Sequence, residues 1–310
     1  VGQTIGVCRL PEGRPLKTDG LPHDAEATTI SAEVLRRDAL SVFLAAMSRA
    51  GATASNKLEG YVPSGSGAAV LMDVPTRGLI ASAGGALADQ SLLPPGSTVK
   101  PFVLSALLKS GKLKPNASYA CPGRLRIGNR MLDCSHPPLA MPLRVDTALA
   151  YSCNCFVAHA AERFDAGELA RMLPSSGFAG GRIQPAAGDA IRLQALGEQA
   201  LLVTVAELAL AYRSLAMRIA LPEMRPILQG LEGAVDYGTA QNASVTGTKV
   251  AGKTGTALTS TGEIIAWFAG FVPSSAPQVA IAVMVHGRSG GADAAPIAGR
   301  ILEAHRAGRL

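Results

Sequence analysis

The sequence predicts an α+β fold in which segments from both ends of the chain complete one antiparallel sheet. Two short apolar runs bracket a Pro-Thr-Arg-Gly turn at residues 75–78, and three longer apolar runs fill residues 250–286. The stretch between them carries mostly helical periodicity. Strands from the N- and C-terminal parts then form the sheet, flanked by helices, and the intervening residues form a mostly helical central subdomain.

Composition bounds the functional classes. At 310 residues, 48% hydrophobic and 17% charged, the chain buries a substantial core and is not disordered. Aromatic residues make up only 4%, which argues against a base-stacking platform, so nucleic acid is not an expected partner. The net charge of +6 is spread along the chain without a dense Lys/Arg block and reads as solvated surface. No run of eighteen apolar residues occurs, and residues 1–27 lack the pattern of a secretory signal. The chain opens on valine, so a membrane anchor or signal upstream of residue 1 is an expectation. The cysteines are Cys8, Cys121, Cys134, Cys153 and Cys155. None shows C-x-x-C spacing and the five histidines are scattered, so no metal centre is expected. Cys121 and Cys134 bracket a segment whose ends can meet as a hairpin, which leaves a disulfide between them open in an oxidising compartment. Cys153 and Cys155 read as small buried hydrophobes.

Taken in order, residues 1–27 read as a tail or linker. Ser31 can cap a helix whose apolar positions Val34, Leu40, Val42, Phe43 and Met47 lead to Gly51. After a loop over 52–67, the runs at 68–73 and 79–83 form the hairpin. Pro94-Pro95-Gly96 signals a loop, and Ser97 follows as a helix N-cap type residue. The helix runs through the apolar stretch 102–108 to Gly111, a C-cap glycine. Residues 113–142 read as irregular. A helix over 143–150 halts at Tyr151-Ser152-Cys153-Asn154, and others follow over 155–164 and 168–173. Thr204 and Glu207 make a capping box ahead of a helix over 208–217. Strands over 250–258, 264–272 and 279–286, then a helix over 294–307, complete the chain.

Three polar clusters stand out. Ser97 and Lys100 are three apart, sharing one face of a helical turn where a desolvated amine can take a serine's proton. The helix N-terminus beside them favours developing negative charge. Taken alone, the pair is also what an ordinary capped helix with a solvated lysine looks like. Ser152 and Asn154 lie at a helix break, where a hydroxyl can relay a proton and an amide can hold a carbonyl; either residue could equally be a cap. Lys253-Thr254-Gly255-Thr256 lies on a predicted strand, with a lysine and two hydroxyls able to hold a carboxylate and a glycine that permits close backbone approach. Each cluster occurs once: no other serine precedes a lysine by three, and there is no second S-x-N or K-T-G.

Together the clusters resemble the transpeptidase domain of penicillin-binding proteins, in the superfamily shared with serine β-lactamases, a motif set already described for those enzymes. The likeness extends over 28–310: Thr28-Thr29-Ile30, Leu71-Met72-Asp73, Pro95 to Phe102, Cys121-Pro122-Gly123 with Cys134, Ala148 to Asn154, Tyr237-Gly238-Thr239-Ala240 and Trp267 to Phe271. It implies a penicillin-binding domain over 28–310 behind the tail at 1–27, with the helical subdomain inserted at roughly 103–235. By the same resemblance Ser97 attacks a D-Ala-D-Ala carbonyl and forms an acyl-enzyme. Lys100 is its base, kept neutral by burial and the charge of Lys253. Ser152 passes a proton to the leaving amine and Asn154 orients the substrate amide. Lys253, Thr254 and Thr256 beside Gly255 hold the terminal carboxylate, and the N–H groups of Ser97 and Thr256 form the oxyanion hole. The implied partners are peptidoglycan stem peptides, with β-lactams as covalent inhibitors. No metal or organic cofactor is implied, and the implied place is the bacterial cell envelope outside the cytoplasm.

Relatives of the same fold mark the alternatives. A class A β-lactamase deacylates through a glutamate in E-x-x-L-N; Glu168 is followed by Leu169-Ala170-Arg171-Met172, and no E-x-x-L-N occurs. A D,D-carboxypeptidase differs in giving the acyl group to water, and a β-lactam sensor acylates once and signals.

Overall fold

The structure, a computed structural model, describes residues 57–179 and 183–310, which all belong to one compact unit. The tail expected over 1–27 and the helix expected from Ser31 lie outside the described residues. Among the described residues, no helix is long and apolar enough to cross a membrane.

The first hairpin forms as expected from β1 (Gly67–Asp73) and β2 (Leu79–Ala83). Its turn closes because the Asp73 carboxylate accepts from both the N–H (2.7 Å) and the hydroxyl (2.6 Å) of Thr76. After α1 (Ala86–Asp89), a 3₁₀ turn over Gly96–Val99 leads directly into α2 (Lys100–Lys109). Here the structure corrects the expected N-cap. No side chain caps the turn or the helix, so the Ser97 hydroxyl is not committed to capping.

The region expected to be irregular holds three short strands, β3 (Ser118–Tyr119), β4 (Arg124–Ile127) and β5 (Arg130–Asp133), and β6 (Leu143–Arg144) follows it. β4 and β5 form a hairpin with Gly128 at φ 54°, and β3 pairs with β6. The helix expected from residue 143 therefore starts as strand and becomes α3 (Val145–Ala150). Then come α4 (Asn154–Ala161), α5 (Glu168–Met172), α6 (Asp189–Ala195), α7 (Val205–Ala216) and α8 (Arg225–Asp236). The capping box is made: the Glu207 N–H donates to Thr204 Oγ1 (3.1 Å) and the Thr204 N–H to Glu207 Oε2 (3.0 Å).

The chain ends with β7 (Ala251–Leu258), β8 (Ile264–Val272), β9 (Val279–His286) and α9 (Ala295–Arg306), close to the expected bounds. Five strands make one antiparallel sheet in the order β2-β1-β9-β8-β7, so chain segments far apart in sequence do meet. α7 packs against β1, β8 and β9, whereas α9 contacts β8 and β9. Ala69, Leu71, Phe268, Ile281, Val283 and Ile301 share one core cluster. With both faces covered, β8 and β9 read as unbroken apolar runs instead of alternating ones.

α7 also anchors the turn before α2. Buried Tyr212 donates its hydroxyl to the Thr98 carbonyl (2.9 Å) and meets Phe102 edge-on at 5.3 Å. Tyr212→Phe keeps the ring and strands that carbonyl in the core. The variant is expected to lose about 1–3 kcal/mol of stability, read from its urea midpoint at unchanged slope.

Candidate active site

The site forms where the turn before α2, the break between α3 and α4, and edge strand β7 come together. Lys100 is fully buried at the start of α2. Its Nζ donates to the Ser152 carbonyl (2.8 Å) and to Asn154 Oδ1 (2.6 Å), with Ser152 Oγ at 3.4 Å. Two of these partners can only accept, while the hydroxyl can donate or accept. A neutral Lys100 can therefore satisfy both carbonyl oxygens and keep its lone pair for an incoming proton.

The break between α3 and α4 is built for this. Ser152 sits at φ 56°, a left-handed conformation that side-chain-bearing residues rarely adopt and that turns its carbonyl and hydroxyl toward Lys100. The cap of α4 is Cys153, whose sulfur accepts from the Phe156 N–H at 3.3 Å. The capping role that sequence alone allowed for Ser152 or Asn154 thus falls to the residue between them, and both side chains are available to the site. Asn154 is fixed at both ends: Oδ1 accepts from Lys100, and Nδ2 donates to the Asp133 carbonyl (3.0 Å) at the end of β5. Those two bonds determine which way the amide faces and leave one Nδ2 hydrogen to offer.

β7 lies against the turn that holds Ser97. A Cβ on Gly96, whose φ is +52°, would stand 2.7 Å from the Thr256 carbonyl, and one on Gly255 would stand 2.7 Å from that of Pro95. Only glycines permit this approach. Trp267, opposite Gly255 on β8, donates its indole N–H to the Pro94 carbonyl (3.0 Å). The half-buried Ser97 thus sits on a turn pressed against β7, three residues before the Lys100 that reaches the break carrying Ser152. Lys253 is fully buried and donates to the Thr254 carbonyl (3.0 Å). Thr254 Oγ1 lies 2.7 Å from Thr239 Oγ1, and exposed Thr256 accepts from the Gly290 N–H through its hydroxyl (3.1 Å).

Burial sets the charge state of the two lysines. Loss of solvation brings the Lys100 amine down to about 8, partly opposed by the negative character of Cys153, Cys134 and Glu198 nearby. Lys253 is held well below the usual lysine range by burial first and then by the charge of Lys100. The sequence-based expectation had both burial and the charge of Lys253 keeping Lys100 neutral, and of these burial is the cause that acts on it. The structure puts burial first for Lys100 and makes Lys253 the amine that yields to its neighbour's charge.

All the predicted site residues, Ser97, Lys100, Ser152, Asn154, Lys253, Thr254, Gly255 and Thr256, lie in these three converging segments. Sequence reasoning gave no role to Thr239, Asp133, Gly197 and Gly290, which hold those segments in place. Thr239 meets Thr254, the Asp133 carbonyl accepts from Asn154, the Gly197 carbonyl accepts from the Gly96 N–H, and the Gly290 N–H donates to Thr256. Thr239 had a signal in Tyr237-Gly238-Thr239-Ala240, whereas Gly197 and Gly290 are ordinary loop glycines until the backbone beside them is seen. The cysteines also depart from expectation. Cys121 and Cys134 are free thiols 3.6 Å apart, so the disulfide left open for them is not made. Cys153 and Cys155 are buried as expected, yet they gather with the other two instead of packing as isolated hydrophobes.

Solved structures with the same fold include PBP2 of Pseudomonas aeruginosa in complex with WCK 5153, 22% identical with a TM-score of 0.68, covering 80% of this chain and 73% of that one. The transpeptidase domain of penicillin-binding protein 3 from Burkholderia pseudomallei is 24% identical with a TM-score of 0.71, covering 82% and 92%. The transpeptidase domain of the FtsI4 D,D-transpeptidase from Legionella pneumophila is 24% identical with a TM-score of 0.63, covering 80% and 94%. At these identities the likeness is one of fold. The sequence carries the relationship further: the model of the penicillin binding protein transpeptidase domain matches residues 67–303, most of the chain, and the chain belongs to that family.

Proposed function

We propose that this chain is a serine D,D-transpeptidase that cross-links peptidoglycan stem peptides and is acylated by β-lactams. The observation that carries the reading is the buried Lys100 amine, tied to Ser152 and Asn154 one helical turn after Ser97. Ser97 Oγ attacks the carbonyl carbon of the penultimate D-Ala while its proton passes to Lys100 Nζ. The C–N bond breaks, the leaving D-Ala amine takes a proton through Ser152, and an ester on Ser97 remains. An amine of a neighbouring stem peptide then attacks that ester and forms the new amide, and the Ser97 oxygen leaves with a proton.

Asn154 offers its remaining Nδ2 hydrogen to the substrate amide. Lys253, Thr254 and Thr256 hold the terminal carboxylate beside Gly255, and the N–H groups of Ser97 and Thr256 face the oxyanion. None of these steps requires a metal or organic cofactor. A peptidoglycan substrate would have the domain work on the outer side of the cytoplasmic membrane. The domain spans 28–310, with the helical part at roughly 103–235 inserted into it.

Intact-mass spectrometry after exposure to benzylpenicillin tests the reading. One adduct is expected, mapped to the peptide that contains Ser97 and persisting long after free drug is removed. Rapid loss of the adduct would make the chain a β-lactamase, and no adduct would end the acyl-enzyme reading. Release of D-Ala without a cross-linked product would make it a carboxypeptidase.

A further inference from the structure

Beside the break that carries Ser152 and Asn154 lies a cluster the acyl-transfer chemistry does not use. The thiols of Cys121, Cys134, Cys153 and Cys155 are all free. Cys134 Sγ is 3.6 Å from that of Cys121, 3.7 Å from Cys153 and 3.5 Å from Cys155, and Cys153 is 3.5 Å from Cys121. Four sulfurs set tetrahedrally about a zinc ion at about 2.3 Å stand about 3.8 Å apart, so these separations are close to those of a shared metal.

His136 adds a separate observation. Its Nδ1 lies 2.9 Å from the Pro137 carbonyl, which can only accept, so Nδ1 carries the proton and Nε2 presents a bare lone pair. That Nε2 is buried and has no hydrogen-bond partner. The ring itself belongs to the cluster: one ligand atom each from Cys121, Cys134, His136 and Cys153 all fall within 4.8 Å of one another. A ring nitrogen bonded to a backbone carbonyl with its other nitrogen facing a donor cluster is how a metal-ligating histidine is held. Backbone N–H groups also point at two of the sulfurs, from Gly123 to Cys121 and from Phe156 to Cys153, each at 3.3 Å, and such donors stabilise thiolates.

We infer that Cys121, Cys134, His136 and Cys153 form a structural site for a zinc-class divalent cation, with Cys155 an outer neighbour. Three thiols lose their protons on binding and the imidazole binds neutral, so three protons are released and nothing is oxidised or reduced. The four protein ligands fill a tetrahedral ion, as in structural rather than catalytic zinc sites. The site joins two pieces of chain: three donors lie around the β4–β5 hairpin, and the fourth stands between Ser152 and Asn154. Asn154 already reaches the Asp133 carbonyl, next to Cys134. The ion thus clamps the hairpin onto the loop that positions Ser152 and Asn154, a consequence that rests on the acyl-enzyme reading above.

The test uses the full chain, purified with its thiols reduced and without chelator. Elemental analysis is expected to find one zinc per chain. Cobalt(II) added to the demetallated protein is expected to give, at one equivalent, the intense visible bands and sulfur-to-metal charge-transfer absorption of a tetrahedral thiolate site. Cys134→Ser and His136→Ala are each expected to weaken cobalt binding by more than about tenfold, while Cys155→Ser retains it. Intact thiols with neither metal bound would overturn the site, as would a mass short by one or two pairs of hydrogens, the sign of disulfides. Loss of binding in Cys155→Ser with retention in His136→Ala would overturn the ligand set. Metal content is read without any β-lactam, so its failure is distinct from failure of the acyl-enzyme. Chelation is expected to slow penicillin labelling, and an unchanged rate in demetallated protein would overturn the clamp.

Discussion

Replacing Ser97 by alanine is expected to abolish covalent labelling by a fluorescent penicillin, and Lys100→Ala is expected to slow it by about 10³-fold. The first removes the only atom proposed to bond to the drug. The second keeps that atom and removes the amine that takes its proton. Lys100 is buried and held by two acceptors at the break between α3 and α4, so no solvent-exposed base can substitute at the same place. Its burial also fixes the pH response. The neutral amine is the base, and burial brings the group down to about 8. Labelling by wild type should therefore fall about tenfold for each unit below about 8 and level off above it. The decisive measurement is the second-order labelling rate across pH, with circular dichroism to show that the variants are folded. Full-rate labelling of Lys100→Ala, or a flat profile from about pH 6 to about pH 9 in wild type, would remove Lys100 as base.

The parts of this site that sequence exposes are those whose chemistry is local. Ser97 with Lys100, Ser152 with Asn154 and Lys253 with its threonines can each be read within four residues. The last three strands are legible for another reason: helices on both sheet faces leave β8 and β9 almost wholly apolar, a signal that survives without context. What was missed depends on contacts between distant segments. α8 contains Gly230 and Gly233, which read as breakers, yet a Cβ on Gly230 would stand 2.6 Å from Leu149 Cβ. Gly230 is there because α3 lies so close, and a Cβ on Gly233 would meet the Tyr237 ring that follows the helix. The thiol cluster failed to appear for the same reason, since its donors are spread over 121–153 without the short spacing that marks a metal site. Ser97 misled as a cap because a 3₁₀ turn and a capped helix begin with similar residues, and only the backbone distinguishes them.

The second large effect comes from a residue that touches no substrate. Gly197 lies at φ +74°, and its backbone carbonyl accepts from the Gly96 N–H at 3.1 Å. A Cβ there would overlap the Gly96 carbonyl, immediately before Ser97. Neither side can yield cheaply, because Gly96 is already pressed against the Thr256 backbone on β7. Gly197→Ala should thus displace the nucleophile turn relative to the strand proposed to supply the oxyanion contact. Penicillin labelling is expected to slow by about 10²-fold, the order seen when one preorganised oxyanion donor is lost. Strain alone must be separated from displacement, and Gly247 provides the control. It has nearly the same φ, +75°, but no heavy atom within 4 Å of its added Cβ. Both alanines meet the left-handed penalty of about 1–2 kcal/mol, visible as lowered thermal midpoints. Only Gly197→Ala should also lose labelling rate, because only there does the methyl group push on the turn that carries Ser97. Equal labelling by the two variants would mean that the turn does not depend on this contact for its position.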